Sequence, residues 1–285
     1  MQDYMTNSPL YDIETQLWVV IHKWLQPLAS VWLVLPSRKR KLIGSLEVIS
    51  RVICICGLIP NHLFTCTRSF YVGTSSLEEL LGIEQCCIFR GSLSKLDIKT
   101  GAILWQTFTL PDNHGERGEY AGAAIWGSSP SIDVQRNLVY VATGNLYSAP
   151  LNIQECQEQQ NNQTVPTQPD QCIEPDNHSN SILAFDLDSG KIKWYRQLGG
   201  YDVWFLACSN LSTPNCPSGP NQDADFGEAP MMLRIYLNGT MLDIVVAVQK
   251  SGFAWALDRY DGSLVWSTVS LHIPLKGANF LCGIG

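Results

Sequence analysis

The chain has 285 residues, of which 45% are apolar and 16% charged, so it can bury a core in one or two domains. Its formal net charge is −7, and the one basic cluster, at residues 38–41, is short. Because phosphate binding needs clustered Lys and Arg, we expect no nucleic-acid partner. Ten Cys residues occur without the paired C-x-x-C spacing of a zinc site and without a C-x-x-C-H haem motif. They indicate an oxidising compartment and exclude covalently attached haem from this chain.

The amino-terminal part carries no internal repeat. An apolar run over residues 17–35 contains His22, Lys23 and Pro27, which disfavours a membrane span. The run also starts late, after acidic residues, and lacks the small-residue cleavage site of a signal peptide. We predict that residues 1–68 form an atypical extension, disordered or non-native, and that residues 269–285 form an atypical tail.

Between these ends, one short unit occurs three times, at residues 94–105, 183–194 and 255–266. In every copy Gly follows Asp by four residues and Trp follows Gly by four. An Asp side chain can accept hydrogen bonds from the amides of the turn that it opens, and Gly supplies a positive φ. Trp then lies on a fixed face of the next strand and is predicted to pack between adjacent sheets. The residues concerned are Asp97, Gly101, Trp105, Asp186, Gly190, Trp194, Asp258, Gly262 and Trp266.

These repeats predict an all-β fold, a partial β-propeller of about three four-stranded blades over residues 69–268. A β-rich run precedes each copy, at residues 70–74, 137–143 and 243–249. Two long insertions, at 144–180 and 199–225, are expected to form loops on one face. Since propellers close with four to eight blades, we predict that further blades or another chain cover the open edges.

The Asp-x-x-x-Gly-x-x-x-Trp unit resembles the tryptophan-docking repeat of pyrroloquinoline-quinone (PQQ) propellers. Residues 69–268 resemble plant proteins that are similar to bacterial polyvinyl-alcohol dehydrogenase. The segments that carry the resemblance are 72–79, 85–91, 142–145, 223–230 and 248–258. The resemblance implies a quinone at the hub, with Ca²⁺ beside it and an Asp that takes the alcohol proton.

The resemblance assigns roles to individual residues. Trp126 matches the ring that underlies the quinone, and Lys250 matches a cation placed against the quinone oxygens. Glu78 and Asn145 match oxygen ligands of Ca²⁺. Each residue has a purely structural alternative: Trp126 in packing, Asn145 in the turn after Gly144, and Lys250 as a solvated charge at a strand end.

Two further cofactor contacts are implied by the resemblance. Arg90 resembles a second cation at the cofactor, and its alternative is an ion pair with Glu78, Glu79 or Glu84. The adjacent Cys86 and Cys87 can form a disulfide ring, which related quinoproteins place against the cofactor. Their alternative is that each Cys pairs elsewhere or stays reduced.

The expected catalytic base is missing from its position. The family carries an Asp directly after a Trp, following the blade that ends here at Trp194, whereas this chain has Phe205 after Trp204. Phenylalanine can neither accept a proton nor ligate calcium. Asp202 lies three residues before Phe205 and is the candidate catalytic replacement.

The two insertions suggest a secreted parent protein. Four N-glycosylation sequons occur, at Asn162, Asn177, Asn210 and Asn238, and three of them lie in the insertions. Disulfides between Cys156 and Cys172 and between Cys208 and Cys216 would brace these loops. An extracellular or secretory location is therefore expected for the parent protein, although this chain shows no evident signal peptide.

Three functional hypotheses follow. The first is a fragment of a quinoprotein alcohol or polyol dehydrogenase that uses PQQ, Ca²⁺ and an external electron acceptor on a small alcohol or a polymer. The second is a non-catalytic extracellular propeller that binds a glycan or polymer through its loops. The third is an inert truncated product.

Overall fold

The computed structural model describes residues 18–21, 31–34, 47–59, 62–82, 85–126, 129–161, 172, 174–205 and 223–269, with side chains from residue 69 onward. These residues form one α-helix, α1 (Leu151–Asn161), and sixteen strands. The strands are β1 (Trp18–Ile21), β2 (Val31–Val34), β3 (Glu47–Ile59), β4 (His62–Ser76), β5 (Ser92–Asp97), β6 (Ile103–Phe108), β7 (Ala121–Gly122), β8 (Ser131–Asp133), β9 (Leu138–Ala142), β10 (Leu146–Ser148), β11 (Ser181–Asp186), β12 (Ile192–Gln197), β13 (Met231–Leu237), β14 (Thr240–Val248), β15 (Phe253–Asp258) and β16 (Leu264–Val269).

Twelve of these strands build three antiparallel sheets of four, in the orders β3-β4-β5-β6, β8-β9-β11-β12 and β13-β14-β15-β16. We call them the first, second and third blades. Strands β1 and β2 form a separate two-stranded sheet, and β7 pairs with β10. The predicted fold class, a partial propeller of about three four-stranded blades, is confirmed.

The repeat folds into the same turn in all three blades. The amide of Gly101, Gly190 or Gly262 donates to the carbonyl of the Asp four residues earlier, at 2.9 Å each time. These glycines have φ between 67° and 71°, where a side chain would be strained. In the first two blades Oδ1 of the Asp also accepts two backbone amides of the turn, as predicted. The hydroxyl and then the amide of Thr100 lower the pKa of Asp97, and the amide and hydroxyl of Ser189 lower that of Asp186.

The tryptophans dock one blade on the next. Trp105 of the first blade donates its Nε1–H to the carbonyl of Leu187 in the second at 3.2 Å, and its ring covers Gly190. A Cβ built on Gly190 would lie 2.6 Å from that ring, so a side chain there would displace it. The predicted packing of Trp between sheets is confirmed at this junction.

The junction of the second and third blades repeats this geometry. Trp194 donates to the carbonyl of Arg259 at 3.2 Å, and its ring lies over Gly262. A Cβ on Gly262 would approach the ring to 2.5 Å. The same contact thus joins both pairs of neighbouring blades.

The second junction adds a network of ion pairs. Asp133, which is buried, accepts Arg136 and Arg259 at 3.0 Å each. Asp243 accepts Arg259 at 2.9 Å and Arg234 at 2.6 Å, and it also pairs with Arg136. The pKa of Asp243 is held well below its usual range, first by the hydrogen bond from Arg234. Since these residues come from both blades, the network cross-links them.

The outer face of the third blade differs from the docked faces. Trp266 is 37% exposed, and Met231 and Leu233, which the strand register puts on the same face of the blade, are exposed as well. Within the described residues no further blade covers this face. The expectation that more blades or another chain cover the open edges stays a prediction.

The insertion between β10 and β11 contains structure that the sequence did not suggest. Helix α1 opens it, and a disulfide between Cys156 and Cys172 ties the helix to the segment before β11. That predicted pairing is confirmed, with an S–S distance of 2.10 Å. The predicted pair of Cys208 and Cys216 lies outside the described residues.

The sequons differ in accessibility. Asn177 is only 3% exposed, and its side-chain Nδ2, to which a glycan would be attached, donates to Glu174 Oε1 at 2.9 Å. A glycan on Asn177 is incompatible with this burial, so that sequon is corrected to a structural Asn. Asn238 lies exposed in the β13–β14 turn, while Asn162 and Asn210 fall outside the described residues.

The first blade starts earlier in the chain than the sequence pattern. Strand β3 and the beginning of β4 precede residue 69, where the repeat region was expected to begin. The functional division of the chain at residues 68 and 269 stays a prediction. Residues 270–285 lie outside the described part of the chain. In the described residues, none of the helices has the length and apolar character needed to cross a membrane.

Candidate functional site

Three equivalent strands deliver the predicted site residues to one place. Strands β4, β9 and β14 are each the second strand of a blade, and they end at Ser76, Ala142 and Val248. Glu78, Asn145 and Lys250 follow two or three residues later. Because docked blades repeat the same topology, loops after equivalent strands meet on one face of the molecule.

Lys250 lies at the centre of a compact group of side chains. Its Nζ donates to Asp223 Oδ1 at 2.7 Å and to Asp225 Oδ2 at 2.9 Å. The same Nζ lies 5.1 Å from the centre of the Trp126 ring, within reach of a cation–π interaction. The Lys250 side chain is 39% exposed, as the alternative of a solvated charge at a strand end requires, and the two ion pairs fix its position. We call Trp126, Tyr147, Glu79, Asp223, Asp225 and Lys250 the Lys250 cluster.

The carboxyl groups of this cluster have altered acidity. Burial raises the pKa of Glu79 to about 7, with a further contribution from Asp225, although Lys250 and a hydrogen bond with Tyr147 act in the opposite direction. Burial raises the pKa of Asp223 to about 6. Burial alone would lower the pKa of Lys250, but the two Asp carboxylates outweigh it and the pKa is raised. The cluster therefore holds a firm cation next to carboxyl groups that titrate near neutral pH.

Two inter-blade segments position Trp126 and Asp225. Between the first and second blades, the amide of Ile125 donates to Thr74 O, and the amide of Gly144 donates to Ala124 O. Between the second and third blades, Lys250 N donates to Asp225 O at 2.9 Å. Asp225 at the second junction therefore corresponds to Ala124 at the first junction. This position carries a carboxylate at the second junction and a methyl group at the first.

Glycines make room for these side chains. A Cβ on Gly144 would lie 2.7 Å from Asp225 Oδ1, and one on Gly227 would lie 3.1 Å from the Trp126 ring. Asp225 Oδ1 uses the space beside Gly144 to accept the amide of Asn145 at 2.6 Å. The close approach of backbone and side chain fixes Asp225 beneath Lys250.

An apolar wall adjoins the cluster. Cys86, Cys87, Tyr147 and Phe205 belong to one buried group of side chains, and Trp126 packs against it. Cys86 and Cys87 are joined to each other by a disulfide across a cis peptide bond. Of the two alternatives for these cysteines, the structure has the vicinal ring, in the group of side chains against which Trp126 packs. A contact between this ring and a cofactor stays a prediction.

Glu78 and Asn145, the predicted Ca²⁺ ligands, are both buried and both hydrogen-bonded to the backbone. Glu78 Oε2 accepts the amides of Ile88 and Phe89 at 2.9 and 2.8 Å, which shapes the loop after the cysteines. Asn145 Nδ2 donates to the carbonyls of Leu146 and Trp204 at 2.6 and 2.7 Å. The alternative of a structural Asn145 is therefore realised, although its contacts reach further than the local turn.

Asp202, the candidate base, has its carboxylate directed at the backbone. Its Oδ2 accepts the amide of Ala224 at 2.7 Å and the side chain of Asn180 at 3.2 Å. Its Oδ1 accepts the amide of Asp223 at 3.3 Å. Asp202 is buried, and these bonds hold the segment that presents Asp223 and Asp225 to Lys250. The catalytic role remains a prediction; the contacts indicate a positioning residue.

Arg90 pairs differently from either expectation. Its guanidinium forms an ion pair with Asp112 at 2.8 Å and lies 4.1 Å from the centre of the Phe108 ring. The alternative partners Glu78 and Glu79 are thus replaced by Asp112, and Glu84 lies outside the described residues. A contact between Arg90 and a cofactor stays a prediction, and the interactions of Arg90 with Asp112 and Phe108 do not support it.

Sequence reasoning missed the carboxyl groups of the cluster. Asp223 and Asp225 were recognised only as part of a segment of family resemblance, and Glu79 only as a possible partner of Arg90. Tyr147 was not singled out. A usable signal was present in the Asp-Ala-Asp run, since the segment between β12 and β13 contains acidic residues and no Lys or Arg, which would complement a predicted cofactor cation.

A family model described as the β-propeller domain of glucose, ethanol and alcohol dehydrogenases, named for PQQ, matches residues 88–279. The chain belongs to this family. Polyvinylalcohol dehydrogenase of a Pseudomonas species is 31% identical over 207 residues, which cover 69% of this chain and 28% of that protein. The same enzyme of Sphingopyxis sp. (strain 113P3) is 30% identical over 208 residues, with 69% and 28% covered. The chain thus spans little more than a quarter of the length of these relatives.

Among solved structures, quinohemoprotein alcohol dehydrogenase from Comamonas testosteroni superposes with a TM-score of 0.47 at 20% identity, covering 71% of this chain and 27% of its own. The family membership itself rests on the matched residues 88–279, which include all three copies of the repeat.

Proposed function

We propose that this chain is part of an alcohol-oxidising quinoprotein propeller in which the Lys250 cluster binds PQQ. The observation that carries the proposal is the placement of Lys250 Nζ, 5.1 Å from the centre of the Trp126 ring and anchored by two carboxylates. An aromatic face next to a fixed cation suits a flat, anionic quinone. The polyvinylalcohol dehydrogenase relatives support an alcohol as the substrate class.

The residues present fit the quinone. Trp126 offers a half-buried ring, and the disulfide of Cys86 and Cys87 forms part of the apolar wall beside it. When bound, PQQ supplies the two-electron acceptor for alcohol oxidation. Lys250 holds its proton, since the pKa is raised, and would stabilise negative charge on quinone oxygens.

The proton of the alcohol needs an acceptor from this chain. Phe205 is buried in the apolar wall and cannot serve, and Asp202 is engaged by backbone amides. Two carboxyl groups near Lys250 remain. Burial raises the pKa of Glu79 to about 7 and that of Asp223 to about 6. A base with a pKa near the working pH is the most effective, so we assign proton acceptance to one of these two residues.

The predicted calcium site fits less well. Glu78 Oε2 accepts two backbone amides, and Phe205 contributes no ligand, which leaves the Asn145 amide oxygen and one Glu78 oxygen of the predicted set. Within the described residues, no group of three or more His, Cys, Asp or Glu is arranged to hold a metal ion. The residues present do not fit Ca²⁺, and the proposal contains no metal-dependent step.

The direct test is whether the whole chain binds PQQ. Binding is measured by equilibrium dialysis, with the absorbance of the quinone as the readout. We expect Trp126→Ala and Lys250→Met each to weaken binding by at least tenfold, about 1.4 kcal/mol. The matched control is Trp266→Ala, an exposed Trp on the opposite side of the third blade from the junction. Equal binding by Trp126→Ala and Trp266→Ala would contradict the proposal.

A second candidate is a propeller that binds a ligand without turnover. The specific observation in its favour is that an apolar Phe205 replaces the acid expected after Trp204. Alcohol-dependent reduction of a dye by the PQQ-loaded protein separates the two. Turnover that Glu79→Gln or Asp223→Asn suppresses supports oxidation, while tight PQQ binding with no turnover supports the second candidate.

A further inference from the structure

The first junction pairs two donors of one blade with two acceptors of the next. Trp105 Nε1 donates to Leu187 O at 3.2 Å. Thr107 Oγ1 donates to Gly190 O at 2.8 Å. The donors are thus the repeat Trp and the residue two positions after it. The acceptors are the repeat Gly and the residue directly after the repeat Asp, and both of these residues are buried.

The second junction uses the same four positions. Trp194 Nε1 donates to Arg259 O at 3.2 Å. Arg196 Nε, two positions after that Trp, donates to Gly262 O at 2.7 Å. Arg259 and Gly262 are again buried. A docked junction in this chain therefore has both donors paired and the turn that accepts them covered.

The third blade has the two donors without acceptors. Its repeat Trp is Trp266, and Thr268 follows two positions later, the same Trp-x-Thr pair as in the first blade. Both side chains are exposed, and neither has a hydrogen-bond partner among the residues that the structure describes. The exposed Met231 and Leu233 lie on the same face as Trp266. This face therefore carries the donor half of a junction.

The first blade has the two acceptors without donors. Its turn places Ile98 directly after the repeat Asp97, and Gly101 has a φ of 67°, close to the 71° of Gly190 and Gly262. Within the described part of the chain, the carbonyl oxygens of Ile98 and Gly101 accept no hydrogen bond. Both residues are half-exposed, whereas their four counterparts at the two junctions are buried. The first blade therefore carries the acceptor half of a junction.

We propose that the third blade of one copy of this chain docks on the first blade of a second copy, head to tail. Trp266 Nε1 would donate to the carbonyl of Ile98 in the second copy, and the Trp266 ring would cover Gly101. Thr268 Oγ1 would donate to the carbonyl of Gly101. Docking would also remove the exposed apolar side chains of the third blade from water, which favours association.

The match between the two ends of the chain is the reason for choosing a second copy. Two third blades placed face to face would oppose donor to donor and leave both first-blade turns uncovered. A head-to-tail contact uses a different surface on each copy, so it either closes into a ring or extends as a chain. Two copies together have six blades, and propellers close with four to eight, so we expect a dimer. The contact does not depend on quinone binding, because it contains no residue of the Lys250 cluster.

The test is sedimentation equilibrium of the whole chain over about a hundredfold range of concentration, where the parent should reach twice the mass of one chain. Trp266→Ala removes a ring and a donor and should raise the dissociation constant at least about tenfold. Thr268→Val removes one donor at constant shape and should raise it about fivefold. Tyr260→Ala, which removes an exposed ring outside the proposed contact, is the matched control and should associate like the parent.

A variant of the first blade tests the acceptor side. Gly101→Ala places a methyl group against the incoming Trp266 ring and should weaken association at least about tenfold. Gly115→Ala, in an exposed loop with a φ of 74°, is the control for backbone strain. A mixture of Trp266→Ala and Gly101→Ala retains one intact donor half and one intact acceptor half. We therefore expect the mixture to form dimers at a concentration where each variant alone is monomeric.

The outcomes separate the proposal from its rivals. A parent chain that stays monomeric at every concentration would overturn it. Association of Gly101→Ala equal to that of the parent would also overturn it, and would indicate that third blades pair with each other. Assemblies larger than a dimer that both variants disrupt would support the same head-to-tail contact. Urea denaturation of each variant at dilute protein, where association contributes nothing to stability, shows that loss of association is not loss of fold.

Discussion

The blade junctions and the Lys250 cluster lie close together but are built on different principles. At the junctions, repeated residues make short contacts that satisfy each donor: Trp105 and Trp194 donate to carbonyls of the next blade. In the cluster, residues outside the repeat bring three carboxyl groups around a single lysine, and burial raises the pKa of Glu79 and Asp223, with Asp225 adding to it. Such electrostatic strain is typical of functional sites, whereas the junctions serve stability. Variants should therefore separate the two regions.

The largest effect is expected at a docked tryptophan. Trp194→Ala removes a buried ring and a hydrogen bond between blades, and should lower the free energy of unfolding by about 3–5 kcal/mol. Urea denaturation measures the loss. The matched control is Trp266→Ala, the same position of the repeat on an uncovered face, which should cost less than about 1 kcal/mol. Similar losses at both positions would show that docking is not what the repeat stabilises.

The next effect is expected in the ion network of the second junction. Asp133→Asn removes the more deeply buried of the two carboxylates that Arg259 and Arg136 share and should cost up to about 3 kcal/mol. Asp261→Asn, at an exposed turn of the same junction, should change stability by no more than about 0.5 kcal/mol. A stable Asp133→Asn variant would mean that Asp243 alone maintains this junction.

A smaller loss is expected when the docking glycine gains a side chain. Gly262→Ala places a Cβ against the Trp194 ring and forces Ala into a positive φ, so it should cost about 2 kcal/mol. Gly239→Ala has a comparable φ in the exposed β13–β14 turn but meets no atom within 4 Å. The difference between the two, measured by urea denaturation, isolates the contact with the Trp194 ring from the backbone strain.

The smallest expected effect concerns pH and is specific to the cluster. Glu79 and Asp223 have folded-state pKa values of about 7 and about 6, raised from 4.5 and 3.8. Folding therefore favours their protonated forms, so their contribution is fully present below about pH 4 and is lost as the pH rises through 7. Stability measured from pH 5 to pH 7.5 should fall less steeply in Glu79→Gln than in the parent or in the exposed Glu116→Gln. An unchanged slope would place the titrating group elsewhere.

Much of the fold follows from local patterns. The Asp–Gly–Trp spacing predicted both the turn geometry and the Trp packing, because a turn and the face of a strand depend on residues close in sequence. The pairing of Cys156 with Cys172 was predictable for the same reason, since both lie in one insertion. Helix α1 escaped notice because a Gln-rich segment lacks an apolar face of helical period.

The site was predicted less completely. Trp126, Lys250 and the vicinal cysteines came from family resemblance, and the structure brings them together. Arg90 and Asp202 were given roles that their contacts do not support, because the sequence contains no sign of Asp112 or of the amide of Ala224 as partners. Ionisable side chains choose partners across the blades, and no local pattern records that choice.

The sequence by itself determined the blade, its docking tryptophan and the family, since these depend on short, repeated spacings. Only the tertiary structure decided which carboxyl groups surround Lys250 and that Asn177 is buried. The physical reason is range. Turns and strand faces are set within about ten residues, whereas burial and charge pairing are set by residues that the fold brings together from different blades.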